Sequence, residues 1–190
     1  MNDAPASEAR EPDDPHWRFA LAVYSRPGVA PACLALQDRF GVDVNVLLVA
    51  LYAATQRGLA VGQEEIAALD RAVAPWRAVA VAPLRSIRRA LKSFSDTPRP
   101  EDVQTLRGQL QKLEIESERL AQSILAAALR EFGAKSGDRG AADVLTATLA
   151  YYAPTAVPDQ ETLRASSIIC NAAENYVDIS SSANAPGSCS

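Results

Sequence analysis

Residues 75–94 read PWRAVAVAPLRSIRRALKSF, and residues 100–132 read PEDVQTLRGQLQKLEIESERLAQSILAAALREF. In the first stretch apolar positions fall at Trp76, Ala80, Leu84, Ile87, Leu91 and Phe94, at steps of four and three. In the second, Val103, Leu106, Leu110, Leu113, Ser117, Leu120 and Ile124 alternate steps of three and four. Side chains three and four residues apart share a helix face, so both stretches are amphipathic helices. Pro98 and Pro100 separate them. The pair predicts a long antiparallel helical hairpin over about residues 75–132, with Pro75 starting it. The seam holds a serine and then alanines, which suits a bundle core better than a free-standing coiled coil. Pro83 falls inside the first helix, where proline costs about 3 kcal/mol in an ideal interior, so a break or kink is expected there.

Shorter elements surround the hairpin. Asp14-Pro15 reads as N-cap and first-turn proline of a helix carrying Trp17, Ala20, Leu21 and Tyr24 on one face, stopped by Arg26-Pro27-Gly28. Pro31 opens a second helix that ends at Gly41. In QDRFGVDVNVLLVALYA (residues 37–53), Asp43 caps a third helix reaching about Gln56. A fourth spans Gln63–Ala74, with Ile66, Leu69 and Val73 as its apolar face. Beyond a Gly/Lys/Ser/Asp linker at Gly133–Gly140, helices are expected at about 141–152 and 159–177, the last with Leu163, Ile168, Ile169 and Ala172 inward. The prediction is an all-α bundle of about seven helices, one domain over residues 14–178. A disordered acidic arm (1–13) precedes it and a flexible tail (179–190) follows.

Composition narrows the function classes. A chain of 190 residues that is 48% hydrophobic buries a core without metal or disulfide staples. The net charge of −4 comes from residues 1–14, and acids and bases balance over the rest, whereas a nucleic-acid-binding domain is usually basic. Cys33, Cys170 and Cys189 are an odd number at wide spacing, with no CxxC, so no disulfide framework is expected. One histidine, His16, and three scattered cysteines supply no zinc site. No phosphate-cradling glycine motif occurs, and no cofactor is expected. The N-terminus is acidic and the longest apolar run, Val46–Ala54, falls far short of the ~20 residues of a spanning helix. The expectation is a cytoplasmic protein with no membrane span.

The blocks WRFALAVYSRPGVAPACLALQDRFGVDVNVLL, VAPWR and PLRSIRRALKSF resemble an uncharacterised family of small proteobacterial proteins of unknown function. The resemblance covers roughly residues 16–95. It implies an α-helical cytoplasmic protein and carries over no catalytic residue. Where the family often has a histidine after the QDR triplet, this chain has Phe40.

Two groups of residues are candidate sites. Asp38, Asp43 and Asn45 crowd together and read as a polar pocket, since paired carboxylates act as acid and base or bind cations. They also read as helix punctuation: Asp43 as an N-cap, Asp38 and Arg39 on a solvent face, Asn45 in a first turn. The structural reading is preferred. Arg85, Arg88, Arg89 and Lys92 fall at i, i+3, i+4 and i+7 in a segment with no acid between Arg71 and Phe94. They are either a docking strip for an acidic partner or a solvated face paired with Glu114, Glu116 and Glu118. Cys33 reads as a small buried hydrophobe, and Trp17, Tyr24, Tyr52, Trp76, Tyr151 and Tyr152 as core or as pocket lining. The leading expectation is a non-enzymatic protein–protein interaction or regulatory protein using the 77–92 face toward an unidentified protein partner. The alternatives are a ligand-binding module or enzyme with a pocket near residues 37–53, and weak nucleic-acid binding through 77–92.

Overall fold

The computed structural model describes residues 14–94, 99–132 and 140–177. The expected acidic arm and tail lie outside these residues, as does the expected linker apart from Gly140. The helices are α1 (Pro15–Tyr24), α2 (Val29–Phe40), α3 (Val44–Arg57), α4 (Gln63–Trp76), α5 (Ala82–Ala90), α6 (Pro100–Ala128), α7 (Ala141–Tyr152) and α8 (Gln160–Glu174). A π-turn (Arg77–Val81) joins α4 to α5, and a 3-10 turn (Leu129–Glu131) ends α6. The backbone is right-handed helical at Trp76, Arg77, Val81 and Ala82, so α4 and α5 make one continuous rod. The described residues therefore form an all-α bundle of seven rods.

Proline accounts for one departure from expectation. Pro75 does not start a helix; it sits in the last turn of α4, and the rod begins at Gln63. The irregularity expected around Pro83 is a π-turn just ahead of it rather than a break in the helix. Ala82 N bonds instead to Arg77 O, five residues back. A proline ring presses on the carbonyl four residues before it and offers no N–H. A wider turn just ahead shifts the hydrogen-bond ladder by one residue and accommodates the ring.

Caps set the remaining ends. Asp43 Oδ1 accepts from Asn45 N (2.8 Å) and Val46 N (3.2 Å), which satisfies two of the free donors at the start of α3. Gly41, at φ +70°, closes α2 in the left-handed conformation that favours glycine. Gly28, at φ +83°, turns the chain directly into α2, so that helix starts at Val29 rather than Pro31. Asp14 precedes α1 but makes no side-chain cap bond.

The core is organised around α3, which packs against α1, α2, α4, α6, α7 and α8. Every residue from Asn45 to Leu51 is buried, as are Ala53 and Ala54. A helix apolar on all sides is stable only when surrounded, and this one is. On the far side of the bundle Leu163 is 59% exposed and Ile168 39%, so the inward face of α8 is made by Thr162, Ala165, Ile169, Ala172 and Ala173.

The rod and α6 form the expected antiparallel hairpin, but through a seam that keeps only part of the expected one. Arg85 pairs with Glu118 and Arg88 with Glu114, so positions rise on one helix as they fall on the other. Leu106, Leu113 and Leu120 are 47%, 56% and 45% exposed, and Phe94 is 52% exposed. Of the expected seam, Ser117 is buried and Val103, Leu110 and Ile124 are half-buried; Glu114, Ala121, Gln122 and Leu125 also point inward. The arginine–glutamate ladder occupies part of the seam. Trp76 Nε1 donates to Ser117 O at 2.9 Å, where small Ser117 and Ala121 permit close approach. α5 buries none of its residues. It packs on α6 and the π-turn, so this end of the hairpin stands out from the bundle as an arm.

Candidate functional site

An open cleft of about 370 Å³ lies between the arm and the body. Trp17, Leu21 and Tyr24 of α1 and Leu34 of α2 form its apolar side. Asn45 and Leu48 of α3 and Gln122 of α6 also line it, facing Arg85, Arg88, Arg89, Glu114, Ile115 and Glu118 of the arm. A second hollow of about 330 Å³ runs past the start of α3 and is lined by Gly41, Asp43, Arg77, Val81 and Tyr152. Gln37, Val44, Asn45 and Arg85 line both, so the two hollows meet at the first turn of α3.

Beside the second hollow is a charged network. Arg77 Nη1 donates to Asp43 Oδ2 (2.6 Å) and to Asp70 Oδ1 (2.7 Å). Asp70 also accepts from Tyr152 Oη (2.7 Å) and Tyr151 Oη (3.1 Å). Burial alone would raise the Asp70 pKa; the donors on its two oxygens outweigh that and hold it below the usual carboxylate value. Tyr152 is driven the other way, by burial and by the carboxylate it bonds. Arg77 resists its own burial because two carboxylates hold its charge, and its pKa rises. Asp43 thus caps α3 with one oxygen and ties the rod to α3 with the other.

The larger cleft has a neutral amide pair at its base. Gln122 Nε2 donates to Asn45 Oδ1 at 3.1 Å. Gln122 is 1% exposed and its Oε1 has no hydrogen-bond partner. Along the arm, Arg85 bonds Glu118 and Gln37 Oε1 (3.3 Å), and Arg88 bonds both oxygens of Glu114. Those carboxylates raise the pKa of both arginines, against the opposing pull of burial.

The sequence candidates separate accordingly. Asp38 is exposed and lines neither hollow, so the trio does not form one pocket. Asp43 is the expected cap and also an ion-pair partner of Arg77. Asn45 faces inward, with Gln122 rather than Asp38 beside it. Of the basic residues, Arg85 and Arg88 are spent on internal glutamates, whereas Arg89 and Lys92 are exposed and have no ion pair among the described residues. Trp17, Tyr24 and Tyr152 line the hollows, Tyr52 packs edge-on against Phe19, and Trp76 fastens α6. Cys33 is fully buried, which pushes its thiol up to about 12. His16 is buried beside Tyr52, and desolvation lowers its pKa. Phe40 packs on the core with the Arg39 guanidinium 5.4 Å above its ring.

Sequence reasoning missed Asp70 and Gln122. Asp70 looked like an ordinary polar position in an amphipathic helix, and nothing local marks it as the acceptor for two tyrosines about eighty residues away. Gln122 carried a faint signal, as a lone amide just ahead of the apolar run Ile124–Ala128. Among the described residues no group of three or more His, Cys, Asp or Glu side chains is placed to hold a metal ion, and no single helix is long and apolar enough to cross a membrane.

Fold and site together define a helical bundle with a projecting two-helix arm and a cleft beneath it. The chain belongs to DUF2390, a family of proteins of unknown function, which matches residues 15–125. That match runs from the start of α1 to near the end of α6, and takes in the whole arm and every lining residue of the larger cleft. No curated protein and no solved structure matches the chain.

Proposed function

We propose that this chain is a non-enzymatic protein–protein interaction module of the cytoplasm, with the arm as its contact element and an acidic protein as its partner. The observation that carries this reading is that no residue of α5 is fully buried. Ser86, Ile87, Arg89 and Ala90 of that helix are exposed, and Arg85 and Arg88 tie its inner side to Glu118, Glu114 and Gln37. Arg89 on that helix and Lys92 just past its end are exposed cations in a stretch free of acids, and attract a negatively charged surface. The unpaired thiols Cys33 and Cys170 suit a reducing compartment.

Arg89→Glu/Lys92→Glu is the informative variant, because reversing Arg85 or Arg88 would strand buried Glu114. Both targets are exposed, so the variant should unfold within about 0.5 kcal/mol of wild type. Proteins retained from lysate by wild type at low salt should be released as salt rises and should be absent from the variant. Equal recovery by both would sink the reading. Recovery of RNA in place of protein, with a steep salt dependence, would favour nucleic-acid binding instead.

One observation favours a second reading, small-ligand binding in the larger cleft: the unpartnered Gln122 Oε1 beside Asn45. A neutral molecule with an apolar body and an amide or hydroxyl donor fits that lining. Across a panel of such compounds, at least one should raise the melting temperature of wild type and leave Gln122→Leu unmoved. A panel with no effect on wild type removes this reading.

A further inference from the structure

The arm has two sides of opposite character. Arg85, Arg88 and Arg89 look into the cleft from α5, and Gln111, Glu114 and Ile115 from α6. At about 100° per residue, Ile87 lies about 160° around α5 from both Arg85 and Arg89, and Leu113 about 160° around α6 from both Gln111 and Ile115. Ile87 and Leu113 therefore share the opposite side of the hairpin.

That side is apolar over a long reach. Along the rod, Val79, Pro83, Ser86, Ile87 and Ala90 are all exposed and none carries charge. Val79 is 73% exposed and Ile87 49%. On α6, Leu106, Leu113 and Leu120 continue the surface at intervals of seven residues, each about half exposed. A solvated helix face normally carries charged residues. Five aliphatic side chains at this exposure leave on the order of 500 Å² of apolar surface, toward the top of the ~300–600 Å² that a typical monomer's largest patch reaches.

We propose that this face is a homodimer interface, closed by a second copy of the chain about a two-fold axis near Leu113. Three observations select that occupant. The rod's share of this face is uncharged, so two copies meet there without opposing like charges, and a partner recognised by charge finds nothing to pair with on that side of the rod. The heptad leucines are self-complementary in the antiparallel sense: with Leu113 at the axis, Leu106 of one copy meets Leu120 of the other, and Lys112 comes alongside Glu116 of the other copy. The area fits as well, since two such patches with their flanking small residues bury on the order of 1,000 Å², the lower range of specific interfaces. Two hairpins joined this way make a four-helix layer with the leucines inside. The two clefts and the Arg89/Lys92 edges stay open on the outer sides, so this assembly is independent of the acidic-partner reading.

Sedimentation velocity on the full chain tests it. Wild type at micromolar concentration should sediment at twice the 20.2 kDa chain mass. Leu113→Glu sets two carboxylates against each other at the axis, and Ile87→Glu charges the rod's side; each should raise the dimer dissociation constant at least tenfold, with unchanged helical circular dichroism. Lys112→Glu should weaken the dimer, and adding Glu116→Lys should restore it. Arg89→Glu/Lys92→Glu should leave the dimer intact. A wild-type monomer at 100 µM overturns the proposal. So does a dimer that survives Leu113→Glu and Ile87→Glu together, or one lost with Arg89→Glu/Lys92→Glu.

Discussion

Replacing Arg77 with leucine is expected to lower folding stability by about 3 kcal/mol, the range seen when one member of a buried ion pair is removed. Among the described residues Arg77 is the sole ion-pair partner of both Asp43 and Asp70, whose side chains are 13% and 16% exposed. Without it, two nearly buried carboxylates are left with hydroxyl and backbone donors only. Asp70→Asn in the Arg77→Leu background should recover part of the loss, since an amide keeps bonding Tyr151 and Tyr152 without an uncompensated charge. Urea denaturation reads both, as a fall in midpoint at unchanged slope. A loss under 1 kcal/mol would show that the network contributes geometry rather than stability.

The same variant has a pH signature. The folded-state pKa of Asp70 lies below its ordinary value, so its ionised form stabilises the fold above the unfolded pKa of about 3.9, and that contribution disappears as pH falls through the lower folded value. Wild type should lose stability along this acid limb. In Arg77→Leu the limb should flatten, because protonating Asp70 then relieves a penalty. An unchanged acid limb would mean that the tyrosines alone hold the Asp70 pKa down.

Leu51→Ala in the middle of α3 is expected to cost about 3 kcal/mol, as a fully buried leucine surrounded on every side cannot be replaced by collapse of its neighbours. Leu163→Ala, at a position whose helical spacing also looks inward but which is 59% exposed, should cost less than about 1 kcal/mol. Calorimetric or chemical unfolding of the two variants checks the pair. Equal losses would contradict the assignment of α3 rather than α8 as the centre of the bundle.

Much of the architecture was legible from local signals. Gly41 followed by Asp43 marked a helix end and a helix start because both act on the backbone within a few residues, through a left-handed φ and through a carboxylate reaching the next free amides. The all-α class, the antiparallel hairpin and the uninterrupted apolar run of α3 follow from periodicity, which is also a local property. The site was less legible. Asn45 read as part of a trio with Asp38 and Asp43, seven residues apart in the chain, yet its partner is Gln122, seventy-seven residues away.

What only the tertiary structure decided is which of two amphipathic faces each helix buries, and how. The heptad of α6 pointed to Val103, Leu106, Leu110, Leu113, Ser117, Leu120 and Ile124 as the seam, and Leu106, Leu113 and Leu120 of these face outward. Arg85 and Arg88 compete for that space, and once they bridge to Glu118 and Glu114 the helix is rotated with its small and polar residues inward. Pro75 and Pro83 looked like punctuation, but the chain stays helical through both, and the π-turn ahead of Pro83 accommodates its ring. The sequence alone determined the all-α class and the ends set by local caps such as Gly41 and Asp43, because those depend on neighbours within one or two turns. The rotation of each helix, the joining of Asn45 to Gln122 and the apolar side of the arm depend on which distant groups reach each other first in a packed interior, and periodicity carries no record of that.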